Sequence, residues 1–131
     1  MKYIKKKFFI EGIKVRNLAK KFRTPIYCYS YKRLKENINN FKKNFKNLKP
    51  IICFAVKANA NLKILKEINK FGLGADVVSL GELAKVLKAG IQPKKIVFSG
   101  VGKTKPELIY AINKNILLIN CESKSEILEI E

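Results

Sequence analysis

Lys57 closes the apolar run Ile51-Ile52-Cys53-Phe54-Ala55-Val56. Strand alternation puts Ile51, Cys53, Ala55 and Lys57 on one face, and Ile52, Phe54 and Val56 on the other. The first face carries the smaller side chains, which suits a crowded interior and would aim the amine inward at the C-terminal mouth of a strand. Burial there would favour the uncharged amine, a nucleophile able to form a Schiff base. A strand-end lysine can instead snorkel into solvent, and on pattern alone this is the stronger reading, because buried lysines are rare. Asp76, in Gly74-Ala75-Asp76-Val77-Val78-Ser79, is an acid at the start of a buried strand. It could pair with Lys57, hydrogen-bond a cofactor or satisfy a neighbouring turn. Gly100-Val101-Gly102-Lys103-Thr104 has the tail of a phosphate-binding loop, but the motif's first glycine would fall at Val97. The amide cradle cannot form, and the segment reads as a turn between strand and helix. The chain has no histidine, which excludes a histidine base, triad or metal site within it.

These residues need elements to position them. Val15, Leu18, Ala19 and Phe22 mark a short amphipathic helix. Thr24-Pro25 ends it, and Ile26 to Tyr29 reads as a strand. Ser30 can cap a long helix with Leu34, Ile38, Phe41, Phe45 and Leu48 on its apolar side, stopped by Pro50. Strands are then predicted near 51–57, 75–79, 95–99 and 116–121, each followed by a helix. Ser79-x-x-Glu82, Thr104-x-x-Glu107 and Ser123-x-x-Glu126 are capping boxes at three of the strand-to-helix junctions. Capping is the default role of Ser79 and Glu82. Strands that are apolar on both faces and alternate with helices predict an α/β fold with a parallel sheet. Either an open doubly wound sheet or a barrel satisfies that pattern; a barrel needs eight such strands, so this chain would hold about half of one.

The 131 residues are 47% hydrophobic and 29% charged, a globular composition with enough length to bury a core. No apolar run approaches a membrane span, and the basic start Met1 to Lys7 lacks the rest of a secretory signal. Cys28, Cys53 and Cys121 are odd in number and lie in strand-like text, so they read as reduced, buried thiols of a cytoplasmic protein. The formal net charge is +18, from 25 lysines and three arginines against 10 acids. That raises a basic nucleic-acid-binding module as the non-enzymatic alternative. The lysines are spread along helix faces, however, and arginine, the better base and phosphate reader, is scarce.

Phe54-Ala55-Val56-Lys57-Ala58-Asn59, together with Gly74-Ala75-Asp76-Val77-Val78-Ser79-Leu80-Gly81-Glu82-Leu83, resembles the N-terminal part of the diaminopimelate decarboxylase family. That family lies within the alanine-racemase-like, fold-type III pyridoxal-phosphate enzymes. Thr24-Pro25-Ile26-Tyr27, Lys95 to Gly100 and Asn120 to Ser123 extend the resemblance over nearly the whole chain. It implies a partial parallel (β/α) barrel of the alanine-racemase-like type, truncated after about four barrel strands. Residues 1–30 would be a lead-in segment, a helix and a strand that join a β-domain, and 31–131 the first part of the cofactor-binding barrel. Lys57 would bind pyridoxal 5'-phosphate as the Schiff-base lysine, and Asp76 would lie against the cofactor. The implied reaction is decarboxylation of meso-diaminopimelate to L-lysine, with a related amino-acid decarboxylase, racemase or cofactor-binding protein as the near alternative. The family's phosphate-binding glycines, ring-nitrogen carboxylate and β-domain have no counterpart here, so the chain alone is expected to be inactive. The resemblance further implies an amino-acid substrate, a homodimer at full length, no metal, no specific nucleic acid and no membrane.

Overall fold

The computed structural model describes residues 1–131, which divide into two units, Met1–Leu48 and Lys49–Glu131. The first opens with three antiparallel strands, β1 (Lys2–Ile4), β2 (Lys7–Ile10) and β3 (Ile13–Lys14), in that order. Both connections are two-residue turns with positive φ at each central position: Lys5 and Lys6 at 45° and 59°, Glu11 and Gly12 at 48° and 84°. Such turns match the twist of the strands they join. Tyr3 and Phe8 stand opposite each other with ring centroids 4.8 Å apart, a cross-strand pair that fixes the register. This sheet was not expected. Glu-Gly between apolar runs was its one local signal, and the first turn is hidden because Lys-Lys is not turn-forming chemistry.

Helix α1 (Val15–Phe22) forms as its periodicity predicts. Ile26 to Tyr29 does not become a strand and runs without regular structure. Extended, β-branched text becomes a strand only when a neighbour completes its ladder, and here no other strand pairs with it. Helix α2 (Tyr31–Phe45) starts at Ser30, whose Oγ accepts the Arg33 N–H at 3.1 Å. Ser30 in turn donates to Glu11 at 2.6 Å, and the Lys32 N–H donates to the same oxygen at 2.7 Å. These two bonds, the hydroxyl first, hold the Glu11 carboxyl below its ordinary range. Of the predicted apolar stripe only Ile38 is buried; Phe41 and Phe45 are exposed and stack on each other.

The second unit is a four-stranded parallel sheet, β4 (Cys53–Ala55), β5 (Gly74–Val77), β6 (Ile96–Phe98) and β7 (Leu118–Ile119), in sequence order. Helices α3 (Leu62–Lys70), α4 (Leu80–Lys88), α5 (Lys105–Asn113) and α6 (Lys124–Ile130) follow the strands in turn. This is a partial parallel β/α barrel whose sheet stays open at β4 and β7. The strands are shorter than their apolar runs. The core lies between the sheet and the helices: Val56, Ala75, Val77, Ile96 and Phe98 have no exposed surface, and neither do Leu65 and Leu83 opposite. On α5, Leu108 and Ala111 are buried, whereas Ile109 and Ile112 are about half exposed.

Candidate active site

Register defines the other face of the sheet. Cys53 pairs with Gly74, and Ala55 with Asp76, which pairs with Val97, which pairs with Leu118. Cys53, Ala55, Gly74 and Asp76 therefore line one face, and all are small. Gly74 is obligatory there, because a Cβ would run into the Lys95 carbonyl and stand 2.9 Å from Cys53 Sγ. The backbones approach so closely at this point that only glycine fits.

Lys57 lies two residues beyond Ala55, on a single 3₁₀ turn (Val56–Ala58) closed by the Asn59 N–H to the Val56 carbonyl at 2.9 Å. The sequence places it at the C-terminal end of a barrel strand, and there it is found. Of the two readings of its side chain, the solvent-facing one that the pattern favours holds: Lys57 is exposed. The strand ends at Ala55, two residues before Lys57. The arguments from inward packing and desolvation therefore do not hold here.

Asp76 sits in the row directly beside that turn. Its Oδ1 is buried and has no hydrogen-bond partner. An unpaired buried carboxylate oxygen is costly, and it points to a donor supplied from outside these residues. The Asp76 charge is felt locally: burial first, and then this carboxylate, push the Cys53 thiol above its ordinary range. Cys53 donates weakly to the Lys95 carbonyl at 3.7 Å. The three cysteines are free, but none is buried: Cys28 and Cys53 are half-buried and Cys121 is exposed. Cys121 follows β7 rather than lying in it, so it gets no shelter from the sheet.

The junction loops are tied more widely than local boxes require. Ser79 and Ser123 cap α4 and α6, accepting the Glu82 and Glu126 N–H at 3.3 and 3.2 Å. Their glutamates, however, take the amide before the cap: Val78 N–H to Glu82 and Glu122 N–H to Glu126, at 2.9 and 2.8 Å. Glu107 accepts both the amide and the hydroxyl of Thr104, at 2.9 and 2.8 Å, and with its other oxygen the Leu80 N–H at 3.0 Å. Gly100 and Gly102 make a turn with φ of 92° and 71°, as expected. Lys103 does not reach for a phosphate. Its three donors go to the Gly100 carbonyl (2.6 Å), the Asn120 carbonyl (2.7 Å) and Glu126 (2.8 Å). Sequence reasoning missed this network because its partners lie one repeat further along the chain.

An orphaned acceptor beside a strand-end amine, on a face of small residues, fits a ligand that brings both a carbonyl carbon and a proton donor. Pyridoxal phosphate has both. Residues 31–131 match the family model for the pyridoxal-dependent decarboxylases, pyridoxal binding domain. The chain is 44% identical over 127 residues to a diaminopimelate decarboxylase of Aquifex aeolicus, covering 97% of this chain and 30% of that one. It is 48% identical over 114 residues to that of Helicobacter pylori J99, covering 87% and 28%. A solved diaminopimelate decarboxylase of M. jannaschii superposes with a TM-score of 0.94 at 41% identity, over 98% of this chain and 31% of that one. That of H. pylori complexed with L-lysine superposes at 0.85 and 45%, over 89% and 30%. The chain thus spans under a third of the length of the curated relatives it matches. By sequence and fold, it belongs to the pyridoxal-dependent decarboxylase family, as part of the pyridoxal binding domain.

Proposed function

We propose that Lys57 is the lysine to which pyridoxal phosphate binds covalently, and that the full-length protein decarboxylates meso-diaminopimelate to L-lysine. One observation carries this: Lys57 stands at the C-terminal end of β4, beside a row holding the unpartnered Asp76 Oδ1. The C-terminal ends of the strands are where barrels of this class do chemistry. The bound cofactor supplies an electron sink for the carbanion left when CO2 departs. The rest falls to the chain. Lys57 Nζ is the nucleophile that attaches the cofactor and is displaced by the substrate amine. Asp76 Oδ1 would accept a hydrogen bond from a donor of the cofactor or of Lys57 and so orient it. Ala55 and Cys53 keep large side chains off this face, against which a planar ring would lie. The identities of 43–48% to diaminopimelate decarboxylases favour this substrate over arginine or ornithine. An arginine decarboxylase of a Chlorella virus and an ornithine decarboxylase of Entamoeba histolytica are 26% and 28% identical. A cytoplasmic homodimer at full length, without metal, membrane or specific nucleic acid, completes the reading; no helix is long and apolar enough to cross a membrane.

The test is to load the full-length protein with pyridoxal phosphate, reduce it with borohydride and locate the label by mass spectrometry. CO2 release is then assayed with meso-diaminopimelate, ornithine and arginine. A single label on Lys57 and turnover of meso-diaminopimelate are expected. A label on another lysine overturns the site, and preference for ornithine or arginine overturns the substrate.

A further inference from the structure

Lys103 is the most enclosed cation in the second unit: its side chain is 1% exposed and that of its partner Glu126 is 8% exposed. An ammonium has three N–H donors, and here each has one acceptor: the Gly100 carbonyl, the Asn120 carbonyl and Glu126 Oε1. The Phe98 ring lies below at 5.7 Å. A dehydrated charge held this completely specifies geometry more than it adds stability. The Lys103 bond, ahead of the Glu122 amide, keeps the Glu126 carboxyl below its ordinary range.

The geometry so specified is at the strand ends. Gly100 follows Ser99, and Asn120 follows β7. The ladder continues past both strands, with the Ser99 N–H to the Val77 carbonyl at 2.8 Å and the Asn120 N–H to the Phe98 carbonyl at 2.9 Å. Ser99 and Asn120 are therefore two residues beyond Val97 and Leu118 and share their face, the face of Asp76. Asn120 Nδ2 donates to Ser99 Oγ at 2.9 Å. That bond leaves the serine O–H as a free donor and Asn120 Oδ1 as a free acceptor, side by side in the mouth. A donor next to an acceptor is complementary to a carboxylate next to an ammonium.

We infer that Ser99 and Asn120 form a binding pair for the zwitterionic head of the substrate that does not react, the head L-lysine retains, with Lys103 and Glu126 as the positioning residues that hold the pair from behind. The inference rests on the decarboxylase reading and adds a recognition site to it. Lysine 103 touches no ligand; it acts by fixing the two carbonyls that flank the pair.

The test uses the full-length holoenzyme. L-Lysine binding is measured by calorimetry, and KM and kcat for meso-diaminopimelate by CO2 release, with the visible cofactor band and Tm recorded for each variant. Asn120→Ala should weaken L-lysine binding and raise KM by about tenfold, with kcat within about threefold and the band intact, as loss of one hydrogen bond to a charged group predicts. The double variant Lys103→Met/Glu126→Gln removes both buried charges together, so neither is left unpaired. It should reproduce that weakening, and adding Asn120→Ala to it should cost no more than about twofold further, because the residues act as one unit. Wild-type binding in Asn120→Ala overturns the pair. A double variant that lowers Tm but binds L-lysine normally overturns the positioning role, as does a roughly hundredfold loss in the triple variant, which would mean independent action. Absence of L-lysine binding by the wild type overturns the recognition site outright. Failure of the decarboxylase reading shows separately, as a label away from Lys57.

Discussion

Glu107, in the first turn of α5, accepts the backbone N–H of Leu80, the first residue of α4, at 3.0 Å. A single carboxylate thus satisfies donors at the starts of two successive helices. The Thr104 amide, the Leu80 amide and the Thr104 hydroxyl, in that order, hold its carboxyl below the ordinary value of 4.5.

That depression fixes a pH dependence. A carboxylate with a lowered folded-state pKa contributes stability that is complete above the unfolded value and is lost as pH falls through the folded one. Glu107, Glu126 and Glu11 all shift this way from 4.5. Their contribution should be constant from neutral pH down to about 5 and should fall below about 4.5. Urea unfolding of the full-length protein at stepped pH measures it. Glu107→Gln should flatten the acid limb and cost about 1–2 kcal/mol at neutral pH. A flat profile down to pH 3 would contradict the assignment.

Gly74→Ala should be among the most damaging single-methyl additions in the chain. The new Cβ meets the Lys95 carbonyl, which is backbone and cannot swing away, and also Cys53 Sγ. Overpacking against a fixed strand should cost about 3 kcal/mol or more. A melting curve compares it with Gly81→Ala, where the nearest atom is 3.9 Å away. Equal Tm values for the two variants would refute the contact.

Lys57→Ala should abolish the cofactor's visible absorbance and decarboxylation together in the full-length protein. Lys57→Arg should fail as completely, because a guanidinium stays charged and cannot attack as a neutral amine. A borohydride-stable adduct in Lys57→Arg would move the assignment to another lysine.

The 131-residue chain by itself should be marginally stable and prone to self-association. Its parallel sheet has open edges at β4 and β7, and Leu117, Leu118, Ile127 and Leu128 are exposed. Light scattering and urea titration check this. A soluble monomer that unfolds in one steep transition would count against it.

Much of the second unit could be read locally. Three of the four strand-to-helix junctions carry a hydroxyl residue followed three positions on by glutamate, and each of those does start a helix. What failed was non-local. Cys121 is exposed because its shelter depends on a strand that ends two residues before it. Lys103 gave no sign of enclosure, since its acceptors at Asn120 and Glu126 lie 17 and 23 residues further on. Ile26 to Tyr29 has strand-forming residues and no partner strand. The first turn of the N-terminal sheet puts two lysines at positive φ, a conformation that their side chains do not advertise.

The stitching of one helix start to the next runs in a single direction. The α4 start waits for Glu107, 27 residues downstream, and the loop before α5 waits for Glu126, 23 residues beyond Lys103. During synthesis the corners before α4 and α5 therefore stay unfinished until the following repeat has emerged. At roughly 5–20 residues per second that is a lag on the order of one to five seconds. A nascent chain that has emerged past Glu107 but not as far as Glu126 would present a closed α4 corner and an open α5 corner, with the Lys103 ammonium still in water. Slower emergence of residues 108–126 would lengthen the life of that half-closed state.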